Sequence, residues 1–432
     1  MRLLHTSDWH LGQQFMGRSR HAEQRAFLDW LIARVQAEAI DVVLVAGDLF
    51  DTATPSSAAR ALYNHFAVAM HAAGVQLVLL GGNHDAPAVL GENRELLACL
   101  SVQVIPAIGD DPADQVLLLQ QRDGQPGAVL AAVPYLRPRD LLTSQPGQDS
   151  QALQQAIAQH YQCVYDLACA RRDALAQQNS PPSRRLPVFT TGHLLTAGSP
   201  RSESVRELYI GTLEALPRAC LPPADYIALG HLHRAQKVGG DAHVRYCGAP
   251  LPLAFDETGT EKVVLRVDTA GYPETGCQVT PLPVPAFRKL LTLHDTPDAL
   301  ASRLQAEGEA WQATATDNPD HPLLPMWVEI VVEASELPPD IAQHLQHATA
   351  SLPLEILRIR RAQAATPAVW DSPDPVALAE LNPDDVFAAR LASETEPETM
   401  QAALWQAYRE VVQTLQHGES MTADETGHEA RP

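Results

Sequence analysis

The feature that most constrains the fold of this chain is a set of five polar motifs, each of which directly follows a short apolar run. They are Asp8-x-His10, Gly47-Asp48, Gly82-Asn83-His84-Asp85, Gly192-His193 and Gly230-His231-x-His233. Because the carboxyl ends of strands in an open α/β sheet meet in one crevice, we expect these distant motifs to converge. A glycine before a polar residue allows a sharp turn and keeps the space beside it clear. Together the five motifs indicate a metal site built from oxygen and imidazole ligands.

The apolar spacing around the first three motifs predicts alternating strands and helices. The β-branched run Val42–Ala46 and the run Leu77–Leu80 are typical of buried strands. Helical periodicity is found at roughly 20–39 and 56–73. This alternation requires crossover connections, and therefore a largely parallel sheet and an α/β fold class. Shorter strands and a long Ala/Gln-rich helix at roughly 151–177 follow, and they predict a second sheet stacked on the first.

Changes in composition divide the chain into three predicted domains. Alternate prolines in Thr280–Pro285 predict a stiff extended linker, which closes a first domain at residues 1–285. Alternating strands and helices predict a small α+β domain at residues 286–365. Residues 366–432 are acidic, begin with a Pro/Asp-rich linker and contain two amphipathic helical stretches with no core of their own to cover.

The charge of the whole chain limits how it can bind nucleic acid. The 432 residues carry a net charge of −21, which argues against a simple electrostatic grip on DNA. Bound divalent cations or a basic partner could supply the positive charge. No run is apolar enough to span a membrane, the first residues lack a secretory h-region, and the six cysteines form no CxxC pair. We therefore expect a cytoplasmic protein without a zinc ribbon or disulfide framework.

The order of the motifs resembles the calcineurin-like metallophosphoesterases. Longer blocks narrow the resemblance to nuclease subunits within that family, and the likeness extends along nearly the whole chain. These blocks are His5–Gly12, Gly47–Asp51, Tyr209–Thr212, Ala224–His231 and Val244–Gly248. The resemblance implies a two-sheet sandwich flanked by helices, a small capping domain that contacts DNA, and a helical tail that grips a partner.

The resemblance also implies two divalent metal ions, usually Mn²⁺ in this nuclease group, and their ligands. One ion would be held by Asp8, His10, Asp48 and His233. The other would be held by Asp48, Asn83, His193 and His231, so that Asp48 bridges the two. The mixture of oxygen and nitrogen ligands suits Mn, Fe or Zn, whereas an all-oxygen cage would suit Mg or Ca.

Two further residues receive catalytic roles from the resemblance. His84 would protonate or stabilise the leaving oxygen, and Asp51, three residues after Asp48, would orient the His84 imidazole and fix its tautomer. Asp85 is expected to be a turn residue or a residue that supports the ligands, and not a ligand itself. Candidate phosphate contacts are Arg18, Arg20, Arg137, Arg139, Arg358, Arg360 and Arg361.

For the family branch, the implied function is a DNA nuclease in recombination, replication and repair. It would act on duplex ends as an ATP-dependent exonuclease and on single strands and hairpins as an endonuclease. The chain has no G-x-x-x-x-G-K-[ST] loop, so the ATP dependence would come from an SMC-type ATPase partner in a heterotetramer containing a homodimer of this chain.

Two alternatives to a nuclease are open at this stage. The first is a phosphatase or cyclic-nucleotide phosphodiesterase of the same superfamily. Phosphatases typically have Arg where Thr52 stands and Glu where Asp85 stands, so both positions favour a diesterase. The second alternative is a non-catalytic scaffold, which the intact motifs disfavour.

Overall fold

A computed structural model describes residues 1–141, 150–178, 185–196, 215–317, 324–334, 336–362 and 404–409. The chain divides into two compact units, Met1–Ala362 and Gln363–Pro432. Residues 404–409 of the second unit are helical. The rest of the predicted tail and the block Tyr209–Thr212 lie outside the described residues.

The first sheet of the Met1–Ala362 unit contains six strands. They are β1 (Arg2–Thr6), β4 (Val42–Val45), β5 (Gln76–Leu80), β6 (Val102–Ile105), β13 (Val263–Asp268) and β14 (Gln278–Pro283). Their order is β14-β13-β1-β4-β5-β6. The strands β1, β4, β5 and β6 are parallel, which confirms the prediction from the strand–helix–strand order. The strands β13 and β14 pair antiparallel.

The predicted second sheet is confirmed and also has six strands. They are β7 (Val116–Gln120), β8 (Pro126–Ala131), β9 (Val188–His193), β10 (Tyr226–Gly230), β11 (Gln236–Lys237) and β12 (Val244–Tyr246). Their order is β11-β12-β10-β9-β8-β7. The neighbouring pairs β8–β9, β9–β10 and β10–β12 are parallel. A separate hairpin pairs β2 (Gln14–Phe15) with β3 (Arg18–Ser19).

Helices cover the outer faces of the two sheets. They are α1 (His21–Ala37), α2 (Ser57–Ala72), α3 (Pro87–Leu90), α4 (Arg94–Ala98), α5 (Pro138–Leu141) and α6 (Ser150–Gln178). Apolar residues of α1 and α2 pack on the first sheet, and those of α6 pack on the second. Between the sheets, Leu44 and Val78 form one buried cluster with Leu130 and Phe189. The result is a layered helix–sheet–sheet–helix sandwich with apolar clusters between its layers.

The predicted linker at Thr280–Pro285 is wrong for most of its length. Residues Gln278–Pro283 form β14, which pairs along β13 and places Pro281 opposite Leu265. A proline cannot donate a backbone hydrogen bond, but β14 is the outermost strand of its sheet and its free edge needs no donor. The alternate prolines therefore mark a sheet edge.

The last part of this unit is a three-stranded parallel sheet with two helices. The elements are β15 (Leu290–Asp295), α7 (Pro297–Asp317), β16 (Met326–Val332), α8 (Ile341–Ala348) and β17 (Leu354–Arg361). The sequence predicted an α+β module, and the strands are all parallel because a helix joins each successive pair. Phe15 and Phe255 of the two-sheet sandwich pack against Leu290 and Trp327 of this small sheet. Among the described helices, none combines the length and apolarity that a membrane span requires.

Candidate metal centre

Seven polar side chains converge where strands of both sheets end. They are Asp8 and His10 after β1, Asp48 after β4, Asn83 after β5, His193 at the end of β9, and His231 and His233 after β10. All except Asn83 are buried to within a few per cent of full burial. The five sequence motifs therefore meet at one place.

Three triplets of ligand-type side chains have donor atoms within 4.8 Å of one another, and the third, His10, Asp48 and His84, joins one member of each of the other two. In the first triplet, the donor atoms of Asp8, His10 and His233 lie within 4.8 Å of one another. In the second triplet, the donor atoms of Asp48, His193 and His231 are equally close. Each triplet supplies one carboxylate and two imidazoles, and Asn83 lies beside the second through its side-chain oxygen, 2.9 Å from His193 Nε2.

The backbone that presents these side chains is locally strained. Asp8, His10, Asp48 and His231 have φ angles of 55°, 46°, 52° and 97°. Positive φ is uncommon for residues other than glycine and costs of order 1–3 kcal/mol each. The loops after β1 and β4 support each other, since Asp8 N–H donates to the Gly47 carbonyl at 3.0 Å and His10 N–H donates to the Asp48 carbonyl at 3.1 Å. Such strain concentrated in one set of residues points to a functional site.

Two glycines permit the close approach of the motifs. A Cβ on Gly47 would lie 2.2 Å from His193 Nδ1, and a Cβ on Gly82 would lie 2.1 Å from Asp48 Oδ1. Both distances are far inside van der Waals contact. A side chain at either position would displace a member of the centre.

The Asp48 carboxylate and one His193 nitrogen lie close together. His193 Nδ1 donates to the Ala46 carbonyl at 2.9 Å, so Nε2 carries the lone pair in the neutral ring. That Nε2 lies 3.1 Å from the Asp48 carboxylate. Burial alone would lower the pKa of His193, but Asp48 raises that pKa to about 9. A proton or a metal ion can satisfy this pair of lone-pair-bearing atoms.

The donor set fits divalent metal ions. Burial would raise the pKa of Asp48, but the neighbouring imidazoles, chiefly His193, hold it well below its usual range, so the carboxylate is charged. His10 Nε2 is buried and has no hydrogen-bond partner among the described residues, although it lies 3.7 Å from Asp48 Oδ2. Carboxylate, amide oxygen and imidazole donors together suit Mn, Fe or Zn.

His84 presents one nitrogen to the centre. Its backbone N–H donates to Asp48 Oδ1 at 2.9 Å, and its Nδ1 lies 2.8 Å from the Asp51 carbonyl oxygen. Because a carbonyl only accepts, Nδ1 carries a proton. Nε2 is buried and makes no hydrogen bond within the described part of the chain, and the ring packs edge-on against His10 with centroids 4.7 Å apart. Nε2 is therefore available to a substrate atom.

The predicted pairing of the Asp51 carboxylate with His84 is not found. The carboxylate lies 3.2 Å from His10 Nδ1, and only the Asp51 carbonyl contacts His84. The reason is local pairing: Asp51 N–H donates to the Leu11 carbonyl, which ties this turn to the loop that carries His10. The spacing of three residues after Asp48 places Asp51 near both imidazoles, but it does not determine which of its oxygens each one meets.

Asp85 acts as a turn residue, in agreement with the sequence. Its carboxylate accepts backbone N–H groups from Leu49, Phe50 and Gly82 at 2.9–3.1 Å. Burial and the nearby Asp48 charge raise its pKa to about 6. Asp85 thereby ties the loop after β4 to the loop after β5.

Most arginines predicted to contact phosphate form ion pairs within the chain. These pairs are Arg18–Glu355, Arg20–Glu23, Arg358–Glu329 and Arg360–Glu329. Arg137 differs, because its guanidinium donates to the Asp85 carbonyl at 2.8 Å, beside the turn that carries His84. The side chain of Arg139 lies outside the described residues, and Arg361 is the last residue of β17.

Sequence reasoning missed Glu257 and Ser7, which hydrogen-bond to the side chains of predicted ligands. Glu257 Oε1 lies 3.2 Å from His233 Nδ1, and the Ser7 hydroxyl donates to the Asp8 carboxylate. Ser7 adjoins a motif and could have been noticed. Glu257 lies 24 residues beyond His233 in a segment without a recognisable motif, so nothing in the sequence indicated it.

The sequence matches two family models and several known proteins. The family model described as calcineurin-like phosphoesterase matches residues 1–235, and the model described as type 5 capsule protein repressor C-terminal domain matches residues 286–395. The SbcD subunit of the nuclease SbcCD from Escherichia coli strain K12 is 43% identical over 96% of this chain and 98% of its own length. The SbcD subunits from Rhodobacter capsulatus and Bacillus subtilis are 35% and 31% identical, over 90% and 62% of this chain and 94% and 66% of their own lengths.

Proposed function

We infer the chemistry of this centre from one premise: the chain belongs to the calcineurin-like phosphoesterases and, within them, to the SbcD nuclease subunits. It is a nuclease subunit, and its reaction is phosphodiester hydrolysis. We propose that it cleaves DNA with two divalent metal ions bound at the seven-residue centre. The observation that carries the proposal is the convergence of these buried donors around Asp48, beside an imidazole nitrogen that no described protein group uses.

The proposed ligands follow the first two triplets. Asp8, His10 and His233 would hold one ion, and Asn83, His193 and His231 would hold the other, with Asp48 shared between them. Bound there, a metal pair supplies Lewis-acid activation of water and neutralises charge on the phosphate. Mn²⁺ is the proposed ion, because the donors mix carboxylate oxygen with imidazole nitrogen.

His84 is the proposed catalytic acid. Its Nδ1 proton is committed to the Asp51 carbonyl, so a second proton on the ring can reside only on Nε2. That nitrogen can donate its proton to the leaving oxygen of the phosphodiester. Asp51 would assist differently from the sequence expectation, since its carboxylate orients His10 through Nδ1.

The partners of the chain are also part of the proposal. The relatives are named as one subunit of SbcCD, and we propose an SbcC-like SMC-type ATPase as the partner here. That partner would bind the ATP on which exonuclease action on duplex DNA depends. The metal centre of this chain would cleave single-stranded and hairpin DNA without ATP. Residues 366–432 would bind the ATPase, and residues 286–365 would contact DNA beside the 1–285 nuclease domain. The chain would form a homodimer within a heterotetramer located in the cytoplasm.

The phosphatase alternative is disfavoured by the relatives. Proteins that match over nearly their full length are nuclease subunits. Thr52 and Asp85 stand where phosphatases typically carry Arg and Glu. Asp85 is moreover fully engaged with three backbone N–H groups.

The test compares substrates. Purified chain with Mn²⁺ is incubated with hairpin DNA, single-stranded DNA and a chromogenic phosphomonoester, and the complex with its ATPase partner is given linear duplex with and without ATP. We expect cleavage of hairpin and single-stranded DNA, no turnover of the phosphomonoester, and duplex degradation only by the complex with ATP. Rapid phosphomonoester hydrolysis with intact DNA would contradict the proposal.

A further inference from the structure

A fully buried carboxylate faces the back of one predicted metal ligand. Glu257 Oε1 lies 3.2 Å from His233 Nδ1, and neither side chain is more than a few per cent exposed. The other carboxylate oxygen of Glu257, Oε2, forms an ion pair with the Lys262 ammonium at 2.6 Å. The ionised carboxylate can only accept, so Nδ1 of His233 donates. The lone pair of the His233 ring is then on Nε2.

Two further groups hold Glu257 in place. Its Oε2 accepts from the Lys262 ammonium at 2.6 Å and from the Leu253 backbone N–H at 3.1 Å. The same ammonium donates to the His233 carbonyl at 3.1 Å, so Lys262 holds both the carboxylate and the backbone of the ligand residue. The lone pairs of Glu257 are thus used by fixed donors, and its rotation would break several bonds at once.

The turn that carries Glu257 is anchored on its other side by packing. Phe255, two residues earlier in the same short turn, belongs to the buried cluster that contains Phe15, Leu290 and Trp327. Leu290 and Trp327 belong to the small three-stranded sheet. The turn Phe255–Glu257 therefore spans from this cluster to His233.

We propose that Glu257 is a positioning residue that fixes the tautomer and orientation of His233, and with them the metal ion shared by Asp8, His10 and His233. The inference rests on the proposed two-metal function and adds a residue that the seven-ligand set does not include. Carboxylates that accept from the outer nitrogen of a ligating histidine typically change metal affinity by about 10–100-fold. Because Glu257 acts through His233, a proposed ligand of one ion, the effect falls on that ion.

The experiment measures Mn²⁺ binding to the full chain by calorimetry and by the electron paramagnetic resonance signal of the bound ions. The variants are Glu257→Gln and a matched control, Glu261→Gln, which removes an exposed carboxylate from the same segment. We expect Glu257→Gln to weaken one of two ions by about 10–100-fold, to leave the other at wild-type affinity, and to replace the signal of a spin-coupled pair by that of a single ion. Glu261→Gln should bind both ions as the wild type does.

The possible outcomes distinguish a failure of the Glu257 positioning role from a failure of the proposed two-metal function. Wild-type protein that binds no Mn²⁺ overturns the proposed metal centre itself. Wild-type affinity for both ions in Glu257→Gln, or equal loss of both, overturns only the positioning role. Lys262→Met keeps the carboxylate and removes one of its supports, so it should weaken the same ion by less. If Glu257→Gln does not fold, Lys262→Met decides: selective weakening of one ion supports the inference, and unchanged binding overturns it.

Discussion

Backbone carbonyl groups, which only accept hydrogen bonds, fix the tautomers of two histidines of the centre. His193 faces the Ala46 carbonyl, and His84 faces the Asp51 carbonyl. Both nitrogens left over point to the place where ions and phosphate are proposed to bind. The residue types were predictable from the five motifs, because metal chemistry restricts them to a few side chains. The hydrogen-bond partners of these side chains were not predictable. The spacing of Asp48 and Asp51 does not say which Asp51 oxygen contacts which imidazole ring.

The role of His84 gives the first prediction. His84→Gln should reduce DNA cleavage by about 10²–10⁴-fold, because the proton donor to the leaving oxygen is lost. Binding of Mn²⁺, measured by calorimetry, should stay near wild type, since Nε2 of His84 is not assigned to an ion. Loss of the ions, or cleavage at the normal rate, would show that the role is misassigned.

Asp48 gives the second prediction, which concerns its place between the first two triplets. Asp48→Asn should weaken both ions, each by about tenfold or more, whereas His10→Ala should weaken mainly one. Elemental analysis after dialysis, with titration calorimetry, measures this. Retention of two tightly bound ions by Asp48→Asn would refute a shared carboxylate.

A buried histidine outside the ligand set predicts a pH dependence of stability. Burial lowers the pKa of His5 to about 3, while its Nδ1 lies 2.9 Å from the Tyr226 hydroxyl. Below about pH 6.5, His5 binds a proton in the unfolded chain but not in the folded chain. Its contribution to the free energy of unfolding is therefore fully present above that pH and is lost as the pH drops toward 3. His5→Asn keeps a polar group at this position and removes the titration.

Urea unfolding of metal-free protein measures the effect. Between about pH 7 and about pH 5.5, the wild type should lose about 1 kcal/mol more stability than His5→Asn. Equal losses in the two proteins would mean that folding does not lower the pKa of His5.

At the scale of elements, the loops after parallel strands do the positioning, and their glycines are the weakest points for substitution. Gly47→Ala should abolish most DNA cleavage, because the new Cβ would lie 2.2 Å from His193 Nδ1. Gly124→Ala is the matched control: it has a similar φ, +81° against +95°, and nothing within 4 Å of the new Cβ. Cleavage rates and thermal unfolding of both variants test this. Equal activity loss in the two would point to backbone strain alone.

Element types followed from the sequence where periodicity is strong. The predicted strand at Val42–Ala46 and the helix at 56–73 are confirmed, the latter beginning after Ser56, whose hydroxyl caps Ala59 N–H at 3.2 Å. The linker prediction for the proline-rich segment is wrong. Strand β14 pairs along only one of its edges, so it tolerates the prolines that are also typical of a linker. Local composition cannot reveal that a neighbouring strand is available to pair.

At the scale of the whole molecule, the two-sheet sandwich could be predicted from element order, whereas the function of the tail stays a prediction. Removal of the residues from Thr366 onward should preserve Mn²⁺-dependent cleavage of single-stranded DNA, because the Met1–Ala362 unit contains the complete centre. The same truncation should abolish co-purification with an SbcC-like ATPase and ATP-dependent duplex cutting. A truncated chain that binds the partner at full affinity would contradict the tail assignment, and one that unfolds would mean that the tail completes the nuclease fold.

The central claim is that a metal pair on this chain cuts DNA, and a metal titration tests it most directly. Protein stripped with a chelator is titrated with Mn²⁺ while hairpin cleavage and bound metal are measured in the same samples. We predict no cleavage without metal, and cleavage that rises to a plateau as two ions bind per chain. Hairpin cleavage that persists in the stripped protein, or a plateau reached with a single bound ion, would contradict the claim.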